Sequence, residues 1–275
     1  MTSVTAPTHA RDSWSRARRY RHSLWLLTSR DLRVRYSTSF LGYLWSVLDP
    51  LAMSAIYFFV FTVVFRRDVG FEPYILFLLG GLLPWMWMSG AISDSTRAFI
   101  KEARLIRSTK VPPTIWVARL TLAKGIEFVA SLPVLALFAI VAGITLGWDK
   151  VHVGWEIVLF PLGIVLQAAL VLGIGLIVAP LTVFFRDLER AVKLVLRFAF
   201  YATPIVYDLG DLPANLQTLG AFNPLAGILS LYRATFFPEA LDWTAVGISA
   251  GVTALLLVVG TLVFRRSIHA VLKEV

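Results

Sequence analysis

Long apolar runs separated by short basic segments dominate the chain. The first four are Leu44–Phe65, Tyr74–Ile92, Ile126–Leu146 and Ile157–Phe185. A fifth, Leu194–Val206, is short and lies between Arg190 and Lys193 on one side and Asp208 and Asp211 on the other. The sixth, Thr244–Phe264, is closed by Arg265 and Arg266. A helix needs about 20 apolar residues to cross a hydrocarbon core of roughly 30 Å. The pattern therefore predicts an all-α integral membrane protein with six transmembrane helices, at 44–65, 74–92, 126–146, 157–185, 194–206 and 244–264. At helical rise the fifth run reaches only roughly 20 Å, so Pro224–Phe237 is expected to complete the thickness as a re-entrant or interfacial segment on the far side. Asp49-Pro50 reads as an N-cap followed by proline at the first helical position, with Leu41–Leu48 packed at the interface. Gly80, Gly81 and Pro84 are expected to bend the second span, Pro133 lies inside the third, and Gly173-Ile174-Gly175 reads as small-residue helix packing.

Charge placement orients these spans. With the N-terminus in the cytoplasm, 22 of the 26 lysines and arginines fall on the cytoplasmic side, leaving Arg66, Arg67, Lys150 and Arg233 opposite. That asymmetry predicts both termini inside. Residues 1–43 are then a cytoplasmic tail with an amphipathic interfacial helix, 44–264 the transmembrane domain, and 265–275 a cytoplasmic C-terminal tail. Within residues 13–36, arginines alternate with Trp14, Tyr20, Trp25, Leu26, Leu27 and Tyr36, which suits a helix in the headgroup plane of an anionic leaflet, chiefly over 22–36. A disordered basic tail is the competing account. The N-terminus does not read as a signal peptide, because no apolar core follows its arginines.

Composition agrees: 57% of the 275 residues are hydrophobic, 16% are charged, and mean hydropathy is +0.74. The net charge of +9 sits between apolar runs, which marks membrane orientation and not a nucleic-acid partner. With no cysteine there is neither disulfide nor thiol chemistry.

Catalytic chemistry is missing. No G-x-x-x-x-G-K-[ST] loop occurs, so ATP is not held in that manner. His9, His22, His152 and His269 lack metal-ligand spacing, and Ser89 and Ser93 have no histidine base. Asp49, Asp94, Glu127, Asp187 and Asp208 stand near span ends, where capping and ion pairing explain them ahead of a proton path. Lys124 and Glu127, three apart, are expected to pair. No catalytic residue, metal or cofactor is expected.

Several segments resemble one family. Arg30-Asp-Leu-Arg-Val-Arg-Tyr-Ser-Thr-Ser-Phe-Leu-Gly-Tyr-Leu-Trp45, with Ser46–Leu51 after it, is similar to the N-terminal signature of type-two ABC exporter permeases. The subgroup is the one exporting polysaccharides, O-antigens and teichoic acids. Phe184-Phe-Arg-Asp-Leu188, Tyr201-Ala-Thr-Pro-Ile-Val-Tyr207 and Asn223-Pro224 with a downstream Arg233 continue the resemblance in order. It covers roughly residues 25–265. The resemblance implies a permease subunit in the cytoplasmic membrane of a bacterium, paired with a second copy as a homodimer. Two copies of a separate ABC ATPase would bind ATP and Mg and dock from the cytoplasm. The implied cargo is a lipid-linked polysaccharide or polyol phosphate of O-antigen, galactan or teichoic acid type. A drug or peptide exporter of the same fold is the alternative. A membrane enzyme acting on lipid-linked sugars would need an Asp-x-Asp site, and a secondary transporter inverted halves with buried carboxylates; neither pattern occurs.

Three sets of residues follow as candidates. For ATPase coupling they are Phe99, Lys101, Glu102, Arg104, Leu105, Ile106 and Arg107, within the loop Ser95–Arg107, whose apolar and charged residues interleave as in a short groove-binding helix. Resting on lipid headgroups is the competing account. For a pyrophosphate headgroup they are Arg30, Arg33 and Arg35, with ordinary anionic lipid as the rival ligand. For lining a glycan path by ring stacking they are Tyr57, Phe58, Trp85, Trp87, Phe198 and Tyr201, set against interface belts and lipid-facing surface. The fifth span together with Pro224–Phe237 is expected to form an outer gate, its movement eased by breakpoints at Pro204, Gly210 and Pro213.

Overall fold

The computed structural model describes residues 9–37, 44–64 and 70–274, and among these every regular element is helical, with no strand. Residues 38–43 of the N-terminal signature, and Arg66 and Arg67, lie outside the described residues. In order come α1 (His9–Ser37), α2 (Trp45–Phe58, running on as a π-helix over Phe59–Val64), α3 (Tyr74–Ser95), α4 (Ala103–Ser108) and α5 (Ile115–Leu146). Then follow α6 (Phe160–Phe184), α7 (Leu188–Ala202), α8 (Ala214–Ala221), α9 (Ala226–Arg233) and α10 (Trp243–Glu274).

Among the described residues, four segments are long and apolar enough to cross a membrane: Tyr74–Ser95, Ile115–Leu146, Trp155–Phe184 and Trp243–Glu274. They match the second, third, fourth and sixth predicted spans. Leu48–Phe58 is apolar but shorter, and α7 is a 15-residue amphipathic helix. Burial sorts these helices. α3 is hydrophobic all round and almost wholly buried, as such a helix must be. By contrast α5 exposes Val129, Leu137, Ile140 and Ile144, and α10 exposes Leu255, Val258 and Leu262. An exposed apolar area that large belongs against lipid.

Several helix ends depart from the hydropathy pattern. α2 starts at Trp45, with Asp49 inside it and no side-chain cap on Leu44. The expected start at Pro50 is thus corrected: one missing N–H does not end a helix whose fifth residue is aspartate, and Ser54 Oγ donates back to Pro50 O at 2.5 Å. α5 begins eleven residues before its apolar run, and α10 continues to Glu274 through Arg265 and Arg266, so the C-terminal tail is helical. Hydropathy marks where a helix is greasy, not where its hydrogen bonds stop. α7 ends where Thr203 precedes Pro204, which disfavours helical geometry at residue 203.

Two devices hold the bundle. α6 and α10 cross so closely that a Cβ on Gly260 would strike Gly173 O, and one on Gly173 would lie 2.9 Å from the Leu256 carbonyl carbon; the small-residue reading of Gly173 holds. The second device is α9, all eight of whose residues are buried. Gly227 N donates to Ser249 Oγ of α10 at 3.1 Å. Tyr232 Oη donates to Gln167 Oε1 of α6 at 2.9 Å, and Gln167 Nε2 donates to Pro84 O of α3 at 2.7 Å. One buried amide thus joins three helices, and both its polar ends are satisfied.

Candidate transport path and coupling surface

The C-terminal half of α1 lies along the start of α5, in the same direction. Tyr20 Oη meets Thr114 Oγ1 at 3.2 Å, Asp31 pairs with Arg119, and Arg35 Nη1 pairs with Glu127 at 2.8 Å. Arg119 is the buried member, its side chain only 3% exposed. It pairs with Asp31, lies 3.5 Å from Glu102, and has its guanidinium carbon 5.2 Å from the Trp116 ring centroid. Arg30 shares Glu102 at 2.7 Å and Asp31 at 3.2 Å. Burial pulls the Arg30 guanidinium down, but these two carboxylates outweigh it and its pKa ends above the ordinary value. Arg35 also reaches Asp94 at 2.7 Å, and Lys124 meets Glu127 at 2.6 Å as expected. Arg30 and Arg35 are therefore engaged with carboxylates, while Arg33 is exposed with no partner among the described residues.

The loop after α3 divides into inward and outward residues. Phe99 is fully buried, with its ring 6.1 Å from that of Phe264, in a cluster holding Ile106, Trp116 and Val271. Glu102 turns inward to Arg30 and Arg119. These positions are filled from within the chain, which corrects the expectation that Phe99 and Ile106 offer an apolar face to a partner. Ile100, Lys101, Arg104 and Arg107 face outward, and Leu105 is half-buried. Regular helix here spans only α4. Beside it, Arg97 holds Glu189 of α7 through Nε at 2.8 Å and Nη2 at 2.6 Å, and Lys193 joins at 2.6 Å. The Arg97 and Lys193 hydrogen bonds draw the Glu189 carboxyl down to about 2.

Between α2, α3 and α7 lies an aromatic cleft of 370 Å³, lined by Tyr57, Trp85, Phe200, Tyr201 and Arg197 among others. Phe200 sits at its centre, 5.5 Å from Tyr57, 5.6 Å from Trp85 and 5.2 Å from Tyr201, ring to ring. Three of the six candidate path residues, Tyr57, Trp85 and Tyr201, meet here. Trp87 does not join them. It is buried, donates Nε1 to Thr121 O at 3.1 Å and stacks on Phe128 at 5.2 Å, so it is core between α3 and α5. Phe198 is 69% exposed on the outer side of α7, and Phe58 is also exposed.

Past the cleft the chain is non-helical over residues 203–207, most of it buried. Bare carbonyls at such depth need donors. Arg233 Nη2 donates to Ile205 O at 2.8 Å and its Nε to Phe77 O at 3.2 Å, with the guanidinium carbon 3.5 Å from the Phe77 ring centroid. Tyr74 Oη donates to Val206 O at 3.1 Å. A Cβ on Gly81 would sit 2.8 Å from Arg233 Nη2, so glycine is required for this approach. Only the role of Arg233 as a motif residue was visible beforehand. The signal for its burial was an arginine, like Gln167, standing within an apolar stretch.

The helical bundle and its outward apolar faces define a multi-pass membrane protein. The profile of the ABC-2 type transporter family matches residues 22–237, and the chain belongs to that family. It is 35% identical over 243 residues to the O-antigen export system permease protein RfbA of Klebsiella pneumoniae, covering 88% of this chain and 90% of that one. Identity to the protein of the same name from Myxococcus xanthus is 32%, over 81% and 83% of the two chains. The polysialic acid transport protein KpsM of Escherichia coli is 25% identical over 88% and 92%. Its place is the bacterial cytoplasmic membrane, crossed several times.

Proposed function

We propose that this chain is the permease subunit of an ABC exporter that carries a lipid-linked polysaccharide or polyol phosphate out of the cytoplasm. Near-full-length similarity to export permeases for O-antigen and polysialic acid carries this reading. Two copies enclose the path, and each binds one ATPase subunit, which supplies the energy this chain has no phosphate loop to capture. The chain crosses six times with both termini inside, α2 and α7 contributing the first and fifth crossings. The positive-inside count supports this.

The ATPase docks against the outward residues Ile100, Lys101, Arg104 and Arg107. Its motion passes inward through Glu102 and Phe99, and through Arg97 to Glu189 at the foot of α7. The foot of α7 thereby connects the docking loop to the aromatic cleft. Sugar rings stack on Tyr57, Trp85 and Tyr201, an arrangement that tolerates successive different sugars because stacking needs only a ring face. Residues 203–207, held by Arg233 and Tyr74, form the outer gate.

Depletion of the protein followed by chemical analysis of lipid-linked glycans tests the reading. Export predicts accumulation of full-length lipid-linked glycan inside; an unchanged glycan pool removes it. Because the chain lacks cysteine, single cysteines report topology cleanly. In intact cells an impermeant thiol reagent should leave Lys101→Cys unlabelled, whereas Asp149→Cys should react.

A further inference from the structure

α7 carries a second feature beyond its aromatic edge. At 100° per residue, Arg190, Lys193, Arg197 and Tyr201 fall on one face, and all four are exposed. The side chains of Arg190 and Arg197 make no hydrogen bond or ion pair among the described residues, whereas Lys193 shares Glu189. Arg190 to Arg197 spans roughly 10 Å of helix. The upper end of this stripe opens into the aromatic cleft, since Arg197 and Tyr201 both line it.

Arg197 stands inside the apolar run Leu194–Val206, where an unpaired guanidinium is costly and must find an anion or water. A second copy placed symmetrically against this face would set cation against cation near the axis, so the stripe does not close on itself as a dry contact. Its charge fits a compact polyanion, and the adjoining rings fit a sugar attached to that polyanion. By contrast Arg30 and Arg35 already hold carboxylates.

Resting on the export reading above, we propose that Arg190, Lys193 and Arg197 bind the diphosphate head of the lipid-linked glycan and set its first sugar in the cleft against Tyr201. Arg33 and its neighbours on α1 are then not the principal headgroup site. Guanidinium forks suit the paired phosphate oxygens. Ordinary anionic phospholipid has the same charge but no ring for the cleft.

The test measures direct binding to the permease–ATPase complex in nanodiscs. The probes are a long-chain isoprenyl diphosphate bearing one sugar, and phosphatidylglycerol. Arg190→Gln with Arg197→Gln should weaken binding of the sugar diphosphate lipid by about tenfold or more, as expected for two lost charged contacts. Arg197→Lys keeps the charge but not the fork, so it should bind more tightly than Arg197→Gln and less tightly than wild type; Lys150→Gln, on the opposite side, should have no effect. Phosphatidylglycerol binding should stay the same in all variants. If the double variant binds the sugar diphosphate lipid like wild type, or loses phosphatidylglycerol in parallel, the stripe is not this site, and the export reading stands untouched. If the wild-type complex binds no sugar diphosphate lipid, the export reading falls and this site with it.

Discussion

Asp31→Asn isolates the clamp between α1 and α5. The substitution keeps side-chain size but removes the charge paired with Arg119, whose side chain is 3% exposed. Stripping one partner from a buried ion pair costs about 3–5 kcal/mol, because the remaining charge stays desolvated. Here Glu102 remains 3.5 Å from Arg119 and the Trp116 ring lies beneath the guanidinium. These retained partners reduce the expected loss to about 2–3 kcal/mol. For a chain of this size that is a fall of roughly 5–10 °C in thermal midpoint. Asp31→Asn with Arg119→Met removes both charges and leaves Arg30 on Glu102 at 2.7 Å, so the double variant should recover to within about 1 kcal/mol of wild type. The assay is thermal unfolding of the purified protein in one detergent, with a cycle over the two single variants and the double. Equal losses in Asp31→Asn and the double variant would refute the reasoning, since the penalty would then come from packing and not from a stranded charge.

Other predictions follow from the same contacts. Arg233→Lys keeps the charge but cannot hold Phe77 O and Ile205 O with one planar fork; export should fall at least about tenfold, read as surface glycan per cell, with the protein still inserted. Phe99→Ala empties a fully buried ring site and should destabilise by about 3–5 kcal/mol, whereas Arg104→Glu with Arg107→Glu should leave thermal stability near wild type and reduce co-purification of the ATPase. Glu189 has its pKa drawn below the ordinary carboxylate range to about 2, so its pairing is present above the ordinary range and lost as pH falls through about 2. The difference in thermal midpoint between wild type and Glu189→Gln should therefore stay constant from about pH 5 to 8.

Much of this architecture was legible because lipid imposes a simple rule on sequence. Runs of about twenty apolar residues specified α3, α5, α6 and α10. Helix ends were illegible, because polar residues such as Arg119 and Arg265 continue a helix beyond the greasy stretch. Side-chain roles divided by the same logic. Tyr57, Trp85 and Tyr201 were named for stacking and do meet around Phe200, yet Trp87, two residues from Trp85, turns to the opposite side of α3 and becomes core. Spacing within the loop after α3 suggested an apolar face, but not whether the chain itself would cover it. Phe264 and Val271, more than 150 residues away, do so. Nor could pattern show that Arg30 and Arg35 are answered by Glu102, Asp94 and Glu127, since ion pairs across elements depend on packing. The exposed stripe on α7 was foreshadowed only by Arg197, a cation inside an apolar run.

Reconstitution tests the central claim most directly. The permease and its ATPase are placed in liposomes with a lipid-linked glycan in the leaflet facing ATP, and glycan appearing on the other side is measured with a lectin or a glycosidase. The account predicts transfer that requires ATP, stops with a hydrolysis-dead ATPase and falls when Arg97 is changed to Ala. Glycan that remains on the ATP side while ATP is hydrolysed normally would contradict it.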